Sequence, residues 1–161
     1  MEGGVERWAF SGRALAGISV RTGTTVTQIL APWITITGLD GSGKTTLVRA
    51  LSLDAHGNVF ASDDNNDHVV ELPAGSTQAT VLPFHGLSYP GGLTVDTSGD
   101  LFVVDNGDNR VLELPSGWRS DAELPFDGLN EPYAVAVGPA GDLYVADSGN
   151  NRVLKLPAAA G

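Results

Sequence analysis

The chain of 161 residues has no cysteine, one methionine and only nine lysines and arginines. Without cysteine there is no disulfide, no thiolate nucleophile and no thiolate metal site, and the redox compartment stays open. Three scattered histidines offer little to a metal cluster. Against so few bases stand 19 acids, giving a net charge of −10. That balance removes the basic face that a phosphate backbone requires, so nucleic acid is not an expected partner. No apolar run approaches the roughly 20 residues of a membrane span. The opening Met-Glu-Gly-Gly-Val-Glu-Arg sets acids where a signal peptide needs bases. We therefore expect neither an export signal nor a membrane span, and composition leaves the compartment undetermined.

What is plentiful is glycine (21) and proline (9), alongside 42% hydrophobic residues and 17% charged ones. This suits many short strands joined by tight turns, so the expected class is all-β. The charge divides the chain. Residues 1–50 carry five bases and three acids, net +2, whereas residues 51–161 carry four bases and sixteen acids, net −12. We expect an N-terminal segment (1–50), a repeat region (51–157) and a short tail (158–161).

The repeat region holds one register without gaps. Gly57, Gly99 and Gly141 lie 42 residues apart, as do Asp63, Asp105 and Asp147, and Leu72, Leu114 and Leu156. A fixed period of this size marks stacked supersecondary units, each unable to bury its apolar face alone. Each unit reads as an alternating strand (Leu51–Leu53, Leu93–Val95, Val135–Val137), a glycine turn and a second strand ending at the repeated aspartate. A turn rich in Asn, Asp and Gly then leads to a third strand at 68–72, 110–114 and 152–156. Segments 79–82 and 121–124 supply a fourth strand before a Leu-Pro-Phe-x-Gly-Leu-x-x-Pro connection. Four antiparallel strands in about 42 residues is a β-propeller blade, so two to three blades are expected. Propellers close with roughly four to eight, so open blade edges and self-association are expected as well.

The N-terminal segment sharpens at Trp33. The β-branched Ile34-Thr35-Ile36-Thr37 leads into Gly38-Leu39-Asp40-Gly41-Ser42-Gly43-Lys44-Thr45-Thr46, a complete G-x-x-x-x-G-K-[ST] phosphate loop. Leu47–Leu51 reads as the helix that such a loop requires. In that case Gly38, Asp40, Gly41, Ser42, Gly43, Lys44, Thr45 and Thr46 would bind nucleotide, with Lys44 on the terminal phosphates and Thr45 on Mg²⁺. From Leu51 onward the chain is repeat, without the further βα units and arginines of phosphoryl transfer. A truncated, fused or misassembled remnant is therefore the favoured reading of residues 1–50.

These residues carry resemblances to known families. Asp-Asn-Gly-Asp-Asn-Arg-Val-Leu-Glu-Leu-Pro and Asp-Ser-Gly-Asn-Asn-Arg-Val-Leu-Lys-Leu-Pro resemble NHL repeats. The Leu-Pro-Phe connection is similar to that of the extracellular sensor propeller of mycobacterial receptor-type serine/threonine kinases. Residues 33–51 resemble the start of thymidylate kinases. The NHL resemblance implies a non-catalytic binding or sensing module for a protein, peptide or glycan. The thymidylate kinase resemblance implies an ATP-dependent phosphotransferase remnant, and ATP with Mg²⁺ is the only cofactor suggested by any of them. The first unit departs from the NHL pattern, with Asp67-His68 in place of Asn-Arg.

Candidate contacts are the aromatics that do not repeat, Trp118 and Tyr133, since a repeat scaffold fixes common positions and frees its loops. Phe84 and Phe126 recur and are expected between blades. Asp105 and Asp147 should accept turn N–H bonds, and Arg110 and Arg152 should brace strands or carbonyls. Asp63-Asp64-Asn65-Asn66-Asp67 lacks the glycine and glutamate of a calcium loop and reads as turn chemistry. No catalytic residue and no metal ligand is expected.

Overall fold

The computed structural model describes residues 17–22, 25–30, 33–37, 45–76, 78–117 and 119–158, with side-chain surroundings from Arg49 onward. Among these residues the chain forms three antiparallel sheets of seven, four and three strands. The first contains β1 (Gly17–Thr22), β2 (Thr25–Leu30), β3 (Trp33–Thr37), β4 (Thr45–Leu53), β5 (Val59–Asp63), β6 (His68–Leu72) and β7 (Thr80–Val81). The second holds β8 (Pro90–Val95), β9 (Leu101–Asp105), β10 (Arg110–Leu114) and β11 (Ala122–Glu123). The third holds β12 (Pro132–Val137), β13 (Leu143–Asp147) and β14 (Arg152–Leu156). We call β4–β7, β8–β11 and β12–β14 the first, second and third units.

The expected strands appear in the expected register. Leu53 faces Val59, Val95 faces Leu101 and Val137 faces Leu143 across the first turn of each unit. Those turns need a left-handed residue, which Gly57, Gly99 and Gly141 supply at φ +84°, +88° and +83°. The second turn of each unit also goes left-handed, at Asp67, Asn109 and Asn151 (φ 53°, 55° and 51°), residue types whose short polar side chains tolerate it.

Two apolar clusters lie between units. Phe60 and Val69 of the first unit meet Leu93, Leu101, Val103 and Leu112 of the second. Phe102, Val104 and Val111 of the second meet Val135, Leu143 and Val145 of the third. The second sheet thus has a forward face pressed on the third unit and a backward face pressed on the first. This explains why β9 is buried along its whole length. Phe84 and Phe126 pack against the two clusters, as their recurrence predicted. The third unit has no successor among the described residues. Val69 and Val111 are 0% exposed, but Val153, 42 residues on from Val111, is 69% exposed.

The helix expected over Leu47–Leu51 is not there. Thr45–Leu53 is a single strand whose early part pairs antiparallel with β3 (Ile36 opposite Thr46, Ile34 opposite Val48) and whose later part pairs with β5. Ladders on both sides override the local helical preference of Leu-Val-Arg-Ala-Leu, and Thr45, Thr46 and Val48 are β-branched residues that suit a strand. Residues 38–44, with Gly38, Asp40, Gly41, Ser42, Gly43 and Lys44, lie outside the described residues. Thr45 and Thr46 are strand residues opposite Thr37 and Ile36. The loop is therefore succeeded by a strand rather than a helix N-terminus, and the dipole such a site uses is missing.

Candidate functional site

Two kinds of polar site arise from the repeat, one shared by the units and one peculiar to a single place. The shared one is a latch. In the second unit the buried Asp105 accepts the Ser88 backbone N–H at 2.8 Å and the Arg110 Nε–H at 2.9 Å. Arg110 then reaches back with Nη2 to the Gly86 carbonyl at 2.8 Å. In the third unit Asp147 accepts from Asn130 N (2.7 Å), Asn150 Nδ2 (2.8 Å) and Arg152 Nε (2.6 Å), and Arg152 Nη2 donates to the Gly128 carbonyl at 2.8 Å. A carboxylate and a guanidinium thereby satisfy each other and the backbone of the incoming connection. Such charge-assisted bonds are what make a buried ionised pair tolerable. The structural role expected for Asp105, Asp147, Arg110 and Arg152 holds.

The carboxyls of the two latches are shifted in opposite directions. Burial raises the Asp105 carboxyl above the ordinary carboxylate range, outweighing the Ser88 N–H and Arg110, and Asp108 adds to the rise. For Asp147 desolvation pushes the same way, but the bonds from Asn130, Asn150 and Arg152 outweigh it and the carboxyl sits below that range. Asp147 accepts a further bond, from Asn150 Nδ2, that Asp105 lacks, and each bond to the charged form lowers a carboxyl.

The first unit replaces the latch. His68 stands where arginine is expected, 3.7 Å from Asp63, and Asp63 turns instead to its own turn, accepting from Asn65 N, Asn66 N and Asn66 Nδ2. This is the turn chemistry expected of the Asp63–Asp67 stretch. Among the described residues no group of three or more His, Asp or Glu comes together.

The peculiar site is a cleft of about 250 Å³ lined by Arg49, Ala50, Gly91, Gly92, Leu93, Tyr133, Ala134 and Val135. It sits where the first strands of the three units run side by side. Positions 49, 91 and 133 are the same column of the repeat, occupied by Arg, Gly and Tyr. Gly92 is needed there, because a Cβ at that position would stand 2.7 Å from the Ala134 Cα. Gly91 leaves the space between the arginine and the tyrosine without a side chain. Tyr133 is 59% exposed. Arg49 is held through Nε by Asp64 Oδ2 at 2.8 Å, while Asp64 Oδ1 is buried with no partner among the described residues. A buried bridge steadies the floor: Ser62 Oγ accepts from Ala50 N at 3.1 Å and donates to the Gly91 carbonyl at 2.9 Å.

Of the two expected contact residues, Tyr133 is brought into this cleft and Trp118 lies outside the described residues. Arg49, Gly91 and Gly92 were not anticipated. Aligning the three units by column and looking for the least alike residues would have found them.

Known proteins share this architecture. The NHL repeat family model matches residues 87–114 and 129–156, the second and third units. Comparison with curated proteins gives no match. Among solved structures, a catalytically inactive virginiamycin B lyase from Staphylococcus aureus with quinupristin aligns over 93% of this chain and 58% of its own, at 15% identity and TM-score 0.60. A nidogen/laminin complex aligns over 83% of this chain and 55% of its own, at 22% identity and TM-score 0.63. A streptogramin B lyase aligns over 90% and 54%, at 18% identity and TM-score 0.60. The chain spans little more than half the length of these structures, and at such identities the likeness is one of fold. Its second and third units match the NHL repeat, and its all-β sheets have the arrangement of part of a β-propeller.

Proposed function

We propose that the chain is a non-catalytic binding module that holds a protein or peptide segment in the cleft between Arg49 and Tyr133. The observation that carries this is that the exposed Tyr133 and an Arg49 oriented by Asp64 line one cleft, whose other lining residues are glycine or apolar. Tyrosine and arginine are the types that dominate binding energy at protein interfaces, because each gives a large contact area with a polar handle. Both stand on paired strands and so enter a complex with little backbone freedom left to lose. The nidogen/laminin neighbour supports a protein partner, being a protein complex on this fold. The lyase structures at 15% and 18% identity bear the names of enzymes, and their likeness, like that of the nidogen/laminin complex at 22%, is one of fold alone. A sensor role like that of the receptor-kinase propeller is a narrower form of the same proposal, and a glycan occupant is the alternative to it. Nucleotide binding has weaker support, because strand β4 stands where the phosphate site needs a helix.

Panning a displayed random-peptide library, with a glycan array in parallel, tests the reading. Peptides enriched on the chain should lose at least about tenfold in affinity on Tyr133→Ala, a change of about 1.4 kcal/mol. They should weaken on Arg49→Ala, and far-UV circular dichroism should be unchanged. Trp118→Ala shows whether that residue shares the contact. Binders indifferent to both Tyr133 and Arg49 would place the function elsewhere, and binding confined to the glycan array would change the partner class.

A further inference from the structure

We propose that the groove between the first and second units holds a lysine or arginine side chain of a partner protein, presented among apolar residues. The groove has a volume of about 390 Å³ and shares no lining residue with the cleft at Arg49 and Tyr133. Its apolar lining comes from both units, Phe60 and Leu82 from the first, Leu101 and Leu114 from the second. The carboxylates of Asp54 and Glu71 also line it, and among the described residues the one basic side chain on it is His56, 3.6 Å from Asp54. Two more carboxylates stand behind the rim. Asp96 accepts the Ser98 N–H at 2.8 Å and Asp100 accepts the Ser116 N–H at 2.7 Å, and both serines line the groove. Apolar surface edged by carboxylates suits the long basic side chains, whose methylene stems pack on it while the charged end reaches an acid.

The repeat contains its own example of such a cation. Across the second and third strands Phe60 pairs with Glu71, Phe102 with Glu113 and Tyr144 with Lys155. In the third unit the Lys155 ammonium lies 2.8 Å from Asp142 Oδ2 and 5.7 Å from the centre of the paired Tyr144 ring, a charge-assisted bond joined to a cation–π contact. In the first unit the same pair of positions holds a ring and a carboxylate, and the cation has to come from outside. A different protein is favoured over a second copy as its source. Three of the four lysines and arginines in residues 51–161 are already held by aspartates of their own units, Arg110 by Asp105, Arg152 by Asp147 and Lys155 by Asp142. Residues 51–117 carry ten acids and one such base, so the surface around the groove also steers a basic segment toward it.

An array of immobilised hexapeptides tests this, each with lysine, arginine, acetyl-lysine or glutamate at the centre of a leucine, phenylalanine and proline background, probed with fluorescently labelled chain. Lysine and arginine peptides should retain the chain at least about fivefold more strongly than their acetyl-lysine and glutamate counterparts, and the difference should shrink as salt rises from about 50 to about 500 mM. Glu71→Gln should weaken retention and Glu71→Lys should abolish it, with far-UV circular dichroism unchanged, since Lys155 shows that this column accepts a lysine. Absent or equal retention across the four peptide classes would overturn the proposal, as would retention indifferent to both Glu71 variants. Retention lost on Tyr133→Ala but kept on Glu71→Lys would move these peptides to the other cleft and overturn it too. A dimer in light scattering that Glu71→Lys dissolves would give the groove to a second copy and overturn the choice of occupant.

Discussion

The second and third units are near copies in sequence, with the same latch and the same column of apolar residues, yet they occupy opposite environments. Val111 is sealed and Val153 is open, and the Asp105 carboxyl is raised where the Asp147 carboxyl is lowered. Sequence repetition therefore transmits geometry faithfully and energetics poorly. What a residue contributes depends on whether another unit stands against it, as expected for a linear array of nearest-neighbour contacts.

The largest test of that contrast is Asp105→Ala, which strips the half-buried Arg110 guanidinium and the Ser88 N–H of a partner at once. Urea denaturation should show a loss of about 3 kcal/mol. Asp147→Ala should lose less, because the Arg152 side chain is 42% exposed against 25% for Arg110 and water can take over its bonds. Equal losses would mean that the outer latch is as dry as the inner one.

Shortening the apolar column comes next. Val111→Ala should cost about 2 kcal/mol through lost burial and the cavity left behind. Val153→Ala should stay within about 0.5 kcal/mol under monomeric conditions, and paired thermal melts would compare the two.

Acid gives a third separation. Asp147 surrenders its proton more readily folded than unfolded, so its latch contributes fully above the ordinary carboxyl value of about 3.9 and is lost as pH falls through the lower folded value. Asp142 is also lowered, chiefly by the hydrogen bond from Lys155, and behaves alike. The sign reverses for Asp105, whose raised value means that folding is penalised as pH climbs through the carboxylate range and relieved as it falls. Hydrogen exchange read at decreasing pH should show β13 and β14 losing protection before β9 and β10. Simultaneous loss would contradict the opposed shifts.

The smallest expected effect is a gain. Asp64 stands where Asn106 stands in the second unit, and Asn106 Nδ2 donates to the Pro132 carbonyl at 2.8 Å. A carboxylate cannot donate, which accounts for the unpartnered Asp64 Oδ1. Asp64→Asn should recover the strap to Pro90 while weakening the ion pair with Arg49, a net gain of under about 0.5 kcal/mol, measurable as a slightly higher urea midpoint.

Much of this fold was legible in the sequence, because strands in stacked sheets obey a period of two and a 42-residue register repeats that signal three times. The second strands, third strands and glycine turns all fell where alternation and Gly-Asx chemistry put them. The phosphate loop misled because its consensus is local, whereas the fate of Leu47–Leu51 was settled by two neighbouring strands that no short motif encodes. The far end of each latch was illegible for a similar reason. Gly86 and Gly128 contribute carbonyls, and a backbone acceptor leaves no mark in residue type. The cleft was half legible: Tyr133 stood out as an aromatic that does not recur, but Arg49 and Gly91 became meaningful only once the columns were laid side by side.

The spacing of the latch bonds also bears on how the chain reaches its native state. Ser88 to Asp105 and Asn130 to Asp147 each span 17 residues, and the bonds from Arg110 to Gly86 and from Arg152 to Gly128 each span 24. Closing the longer loop costs only ~0.3 kcal/mol more than closing the shorter. Neither unit therefore holds a large entropic advantage as a starting point, and each closure fixes the connection that delivers the first strand of its own unit. Folding can begin at either latch and spread outward by contacts that are short in sequence, which favours a rapid collapse for stacked antiparallel sheets.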